Sequence, residues 1–236
     1  MTTTILSIVI ERNALSPWQR EEMFALLAEN FEGVTQEQFD LDLAAKNRVI
    51  WMERAGKLVG FSTLQAYETS FRDEPVSVVY SGDTIVGREA WGSTVLARSW
   101  IAAVNQLRTD FPRGKYYWLL LTSGFRTYRF LPLFWREFFP RHDMATPPEA
   151  TQLLNHLAAE QFGNDYETKS GIVCFARPQR LREELACIPD NRLSDAHVSF
   201  FLTKNPRHDR GDELVCLTEL TPSNLTRAGE RMVRAR

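Results

Sequence analysis

The sequence predicts one α/β domain with an elaborated C-terminal half, and three observations carry that expectation. The coarse order is strand, two helices, three strands, helix, strand, a helical region and a late pair of strands. The run YYWLLLTS at 116–123 is continuously apolar, as in a central strand buried on both faces. Between the strand VSVVYSGDTIV and the amphipathic VLARSWIAAVNQLR lies a junction carrying Gly87, Arg88 and Gly92.

Taken in order, TILSIVIE at 4–11 is a β-branched first strand. Ser16 before Pro17 is an N-cap with proline at the first helical position, opening WQREEMFALLAENF with Met23, Leu26, Leu27 and Phe31 on one face. Thr35 and Gln38 form a capping-box pattern for a second helix. Two apolar runs flank Ala55-Gly56-Lys57, a hairpin signal. The strand at 76–86 and the helix at 93–107 follow, with Leu96, Trp100, Val104 and Leu107 at helical spacing. After Gly124 the chain is rich in aromatics, and Pro132 breaks any helix through it, so a helical insertion is expected at about 130–165 within a single domain spanning 1–236. SGIVCFA is expected to be a strand, LREELACI a short helix, and VSFFLTKNPRHDRGDELVCLTEL two strands around a polar loop. The tail PSNLTRAGERMVRAR is expected to be a terminal helix or a frayed basic end.

Composition narrows the function classes. The 236 residues are 44% hydrophobic and 25% charged, with a net charge of −2, which argues against broad electrostatic binding to nucleic acid. Cys174, Cys187 and Cys216 have no CxxC spacing and fit reduced thiols. The start MTTTILSIVIERN lacks the pattern of a signal peptide, and no apolar run reaches the length of a membrane span, so a cytoplasmic location with no membrane partner is expected. The four histidines are scattered without i, i+4 pairing, and no metal is expected. His208-Asp209 with Asp212 and Glu213 reads as solvated loop charge. Arg126, Arg129, Arg136 and Arg141, interleaved with aromatics, read as a solvated helical face.

The junction at 80–94 is the main functional candidate. Helix starts present outward-pointing amides, and a diphosphate needs such amides, a cation and room for close approach. Gly87 and Gly92 give room, Arg88 supplies the cation, and Ser93 or Thr94 can cap the helix. The plain alternative is a capped turn. The P-loop GK[ST] and the dinucleotide GxGxxG are both missing.

Element order and this junction together resemble the GNAT superfamily of acyltransferases over about residues 4–135. The family's loop signature is Arg or Gln, two residues, Gly, one residue, then Gly or Ala. Arg88-Glu89-Ala90-Trp91-Gly92-Ser93-Thr94 departs from it by one extra residue before the glycine and by Ser93-Thr94 at its end. The resemblance implies a mixed, mostly antiparallel central sheet flanked by helices. It also implies an N-acyltransferase that moves an acyl group from acetyl-CoA or another acyl-coenzyme A to the amine of a small-molecule acceptor. The donor's diphosphate would lie at Gly87–Thr94, with a strand amide around Ile85 or Val86 polarising the thioester carbonyl. Tyr128, just beyond the strand end, would protonate the departing thiolate, and Glu68 or Asp83 would take the acceptor's proton. Asp83 follows Gly82, which marks a bulge able to re-aim side chains. Two rival readings are a carrier-bound donor (acyl carrier protein or aminoacyl-tRNA) and a non-catalytic binding module.

Overall fold

The computed structural model describes residues 4–234. In chain order the strands and helices are β1 Leu6–Glu11, α1 Pro17–Asn30, β2 Phe31–Glu32, α2 Gln36–Ala44, β3 Arg48–Arg54, β4 Lys57–Phe71, β5 Glu74–Val86, α3 Val95–Asp110 and β6 Lys115–Thr122. The later half adds α4 Phe125–Tyr128, α5 Phe130–Phe134, α6 Pro148–Phe162, β7 Tyr166–Glu167, β8 Ile172–Val173, β9 Arg180–Leu181, α7 Glu183–Ala186, α8 Asp190–Leu193, α9 Ala196–Lys204, β10 Glu213–Glu219 and α10 Arg227–Arg234.

Local chemistry sets most of the early boundaries. Ser16 and Gln19 close a reciprocal capping box at the start of α1, and the Thr35 side chain accepts from the Gln38 amide at the start of α2. Gln38 does not complete the second box, because its own side chain donates to Asp42. Ala55 and Gly56 both take positive φ in the two-residue turn between β3 and β4.

Eight strands form one sheet in the order β1-β3-β4-β5-β6-β10-β8-β7, while β2 and β9 pair separately. Among these eight, only β5 and β6 run parallel. The sheet is therefore mixed and mostly antiparallel. One face packs on α3, α5 and α9 through Leu96, Trp100, Leu131 and Phe201. The other face carries two separate apolar clusters. One holds α1 and α2 against Val49, Trp51, Phe61 and Ile85. The other holds α6 against Val78, Tyr80, Leu119 and Val215.

One expectation is corrected. VSFFLTK lies in helix α9, not in a strand, so the late sheet is completed by β10 with the two-residue β8 and β7. Its Val and Phe content suggests a strand, but the Asp195 side chain caps the His197 amide, and Val198 and Phe201 bury three residues apart on one helical face.

The entry to β6 depends on Gly114. Its φ is +62°, and a Cβ there would lie 1.6 Å from the Pro75 carbonyl oxygen. Gly114→Ala is expected to destabilise the fold by at least about 2 kcal/mol, read as a lower urea midpoint with an unchanged slope.

Candidate functional site

The site begins where β5 and β6 part. They pair from Val76–Lys115 to Ser81–Leu120, after which β5 continues to Val86 with no pairing to β6. An extra residue turns it away, because the two steps from Ser62 to Leu64 on β4 face three steps from Ser81 to Thr84 on β5. The expected bulge at Gly82 is present. Beyond it Gly87 donates its amide to the Val59 carbonyl at 2.8 Å. Antiparallel alternation then aims the Ile85 amide at β4 and leaves those of Thr84 and Val86 facing the gap. The Val86 carbonyl agrees, since it turns away from β4 to accept from the Trp91 indole at 2.8 Å. Of the two amides expected near a thioester carbonyl, Val86 faces the gap; Ile85 is buried against α1 and α2.

The junction is a 3-10 turn, Arg88–Ala90, leading to α3. Several of its amides are used internally: Ala90 to Gly87, Trp91 to Arg88 and Ser93 to Ala90, while the Val95 amide donates to the Ser93 hydroxyl at 3.2 Å. Ser93 therefore caps the helix, and the Thr94 side chain makes no cap bond. Gly92 takes a φ of +82° with open space around it. The Arg88 guanidinium lies 2.9 Å from a Glu184 carboxylate oxygen, and the Glu89 carboxylate folds back over Gly87. Two carboxylates thus stand where an anionic ligand is expected. A groove of about 320 Å³ runs here, lined by Gly87, Arg88, Glu89, Arg182, Glu184 and Leu185. Trp91, 43% exposed, lies under the guanidinium groups of Arg88 and Arg126.

A polar band separates the two apolar clusters on the α1–α2 and α6 face. Along β4, Phe61 belongs to one cluster and Tyr67 packs on the other, and Thr63 and Gln65 lie between them on the same pleat. Gln161 from α6 donates to Gln65 at 3.2 Å. Lys46, just past α2, lays its ammonium 4.7 Å from the Tyr80 ring centre, beside the bulge residue Asp83. Burial raises the Asp83 carboxyl above its ordinary range, and the Lys46 charge partly opposes this. Glu213 shares the band: burial, with the negative charges of Asp83 and Asp42, pushes it up to about 8. The site therefore contains one carboxyl kept protonated near neutrality and a second one beside an amine. Sequence reasoning did not single out Lys46, and its reading of Glu213 as solvated loop charge is corrected: Glu213 opens β10 and is desolvated there. The signal was present, because Lys46 lies two residues before the buried strand β3, and Glu213 opens β10 on the same pleat as buried Val215 and Leu217.

No protein-family model matches the sequence, and no curated protein matches it. Solved structures that match include a GNAT-family N-acetyltransferase from Escherichia coli in complex with CoA, 17% identical, covering 54% of this chain and 68% of that one with a TM-score of 0.40. A probable N-acyltransferase from Enterococcus faecalis is 10% identical over 93% of this chain and 67% of that one, TM-score 0.43. An aminoglycoside acetyltransferase from an uncultured soil metagenomic sample, in complex with sisomicin, is 14% identical over 48% and 76%, TM-score 0.35. The architecture itself is decided by the mixed sheet, its parallel β5–β6 pair and the gap beyond the bulge. The sheet is thus mixed and mostly antiparallel with one parallel pair, the arrangement that the GNAT resemblance implies.

Two of the expected residues lie away from the gap. Glu68 pairs with Ser77, at the opposite end of β5 from the gap, and is tied to Arg113 by an ion pair at 3.6 Å. Five residue steps along the strand separate Ser77 from Gly82, about 17 Å, so Glu68 cannot serve the gap. Tyr128 is 0% exposed, packs on Phe138 and Phe201, and donates its hydroxyl to the Pro140 carbonyl at 3.0 Å. A proton for a leaving sulfur is not available from that position. The interleaved arginines are also committed: Arg129 to Asp195, Arg136 to Glu230, Arg141 to Asp143, and Arg126 to the Leu185 carbonyl.

The raised Glu213 value has a consequence for stability. The folded state holds the proton more tightly than the unfolded state, so this contribution is full below about 4.5 and lost as pH rises toward about 8. Denaturant titrations across that window are expected to show wild type losing stability relative to Glu213→Gln, with no further divergence at higher pH.

Proposed function

We propose that the protein is an N-acyltransferase that takes an acyl group from acyl-coenzyme A and delivers it to the amine of a small-molecule acceptor. The observation that supports this most directly is the gap itself. Backbone amides of Thr84 and Val86 are turned to an unpaired strand edge, and a titratable pair sits beside them on the same sheet. An extended amide-bearing arm can hydrogen-bond to that edge as a short added strand, and its phosphates would reach Arg88 and the start of α3. Arg88 supplies the cation such a ligand needs, and Glu184 and Glu89 must turn away before a phosphate can take their place.

The chemistry follows from the band. The acceptor must attack as a neutral amine, and Asp83, whose carboxylate is made more basic by burial, receives the proton. The Val86 amide faces the carbonyl oxygen as charge develops on it. The thiolate needs a proton on departure, and Glu213, protonated near neutral pH, supplies it in place of Tyr128. A pair of carboxyls with different environments thus divides the base and acid roles. The two rival readings, a carrier-bound donor and a non-catalytic module, gain no specific observation.

Two outcomes test this. Isothermal titration with coenzyme A is expected to show weaker binding for Arg88→Ala and tighter binding for Glu184→Gln, since the latter removes the carboxylate that competes with phosphate. Equal affinity in all three proteins would remove the phosphate assignment. Acyl-transfer assays over a panel of amines are expected to show Asp83→Asn and Glu213→Gln each slowed by about 10²–10⁴-fold. In the wild type the rate should fall above about pH 8 as Glu213 loses its proton, and Glu213→Gln should lack that limb. Tyr128→Phe should keep most of the activity.

A further inference from the structure

Lys46 stands apart from every other lysine. The chain has five, and Lys57, Lys115, Lys169 and Lys204 are exposed whereas Lys46 is 7% exposed. A buried ammonium ordinarily needs a carboxylate against it. Among the described residues no carboxylate lies within 4.0 Å of this one; its closest charged neighbours are Asp83 on β5 and Asp42 on α2, with the Tyr80 ring beneath it. Its amine points at the place where the sheet opens. A Cβ built on Gly82, the first β5 residue beyond the last β5–β6 pair, would meet Lys46 Nζ at 3.1 Å and Thr63 Oγ1 at 3.2 Å. Glycine is thus what leaves the amine its room. Thr63 Oγ1 is buried and has no hydrogen-bond partner among the described residues, so a donor is free beside the amine.

We propose that Lys46 is itself an acyl acceptor, so that the protein acylates its own chain at this position from a bound acyl thioester. This rests on the reading of the gap as a thioester site. The Lys46 nitrogen attacks the thioester carbonyl, a C–N bond forms and the C–S bond breaks. The proton lost by nitrogen passes to the sulfur, which leaves as free thiol; nothing is oxidised or reduced. The Thr63 hydroxyl can donate to the oxygen of the new amide. An amide is stable, so each chain takes one acyl group here and the charge beside Asp83 is lost permanently. Burial, which disfavours the charged form, keeps a larger share of this amine neutral and nucleophilic than at the exposed lysines.

Incubating the full chain with acetyl-CoA, then mapping acetyl-lysine by peptide mass spectrometry, tests this, with coenzyme A binding followed in parallel by thermal shift. The expected result is Lys46 modified at least about tenfold faster than any of the four exposed lysines. Lys46→Arg should lose that adduct while still being stabilised by coenzyme A. Stabilisation by coenzyme A with Lys46 unmodified, or modified no faster than the exposed lysines, overturns the proposal and leaves the thioester site standing. Neither stabilisation nor adduct overturns both. A selective Lys46 adduct without coenzyme A stabilisation supports the reactive amine and removes the phosphate site. The wild-type selectivity decides the matter even if Lys46→Arg fails to fold.

Discussion

The site depends on one constraint, the end of parallel pairing between β5 and β6 at Ser81–Leu120. A strand must either pair its amides or turn them to something else. Here the extra residue at the bulge rotates β5 away from β6 while keeping it bonded to β4 as far as Gly87. β6 meanwhile keeps its other partner, β10, through Thr122. The opening is thus held on both sides by ordered strands, and it does not rely on a mobile loop for its shape. The groups beside it inherit that order: Asp83 sits on the bulge, Lys46 reaches it from the end of α2, and Glu213 opens β10.

A second constraint is the division of one sheet face into two apolar clusters. Helices α1 and α2 cover one end and α6 covers the other, and they do not share a single core. The residues between them, Thr63, Gln65, Lys46, Asp83 and Glu213, are partly or wholly removed from water, and burial shifts the three ionisable ones toward their neutral forms. That is the physical origin of the raised Asp83 and Glu213 carboxyls. Charges at an interface between two cores are desolvated without being sealed, which is the condition a proton-transfer group needs.

Much of the fold was legible because its determinants are local. Ser16, Pro17 and Thr35 mark two helix starts, Ala55-Gly56 marks the hairpin, and the run at 116–123 marks the central strand. Gly82 as a bulge and Asp83 beside it were also readable from the sequence, since glycine before an acid in a strand interrupts the pattern. What failed depends on long-range geometry. Glu68 looked well placed because a strand end is visible in sequence, whereas which end of the sheet opens is not. Tyr128 has the right distance from β6, but whether its hydroxyl meets a cleft or the Pro140 carbonyl is settled by the packing of α9 and the segment before α6. The VSFFLTK segment was misread because side-chain preference for strands was outweighed by the Asp195 cap and by the buried Val198 and Phe201.

The pairing of Arg88 with Glu184 has one more consequence. A phosphate arriving there exchanges one anion for another at the same guanidinium, so the net change in counterion association is smaller than at an unpaired cation. Added salt weakens both contacts together. Under the proposed assignment, ligand affinity at this loop should therefore be less sensitive to ionic strength than the charge of Arg88 alone implies.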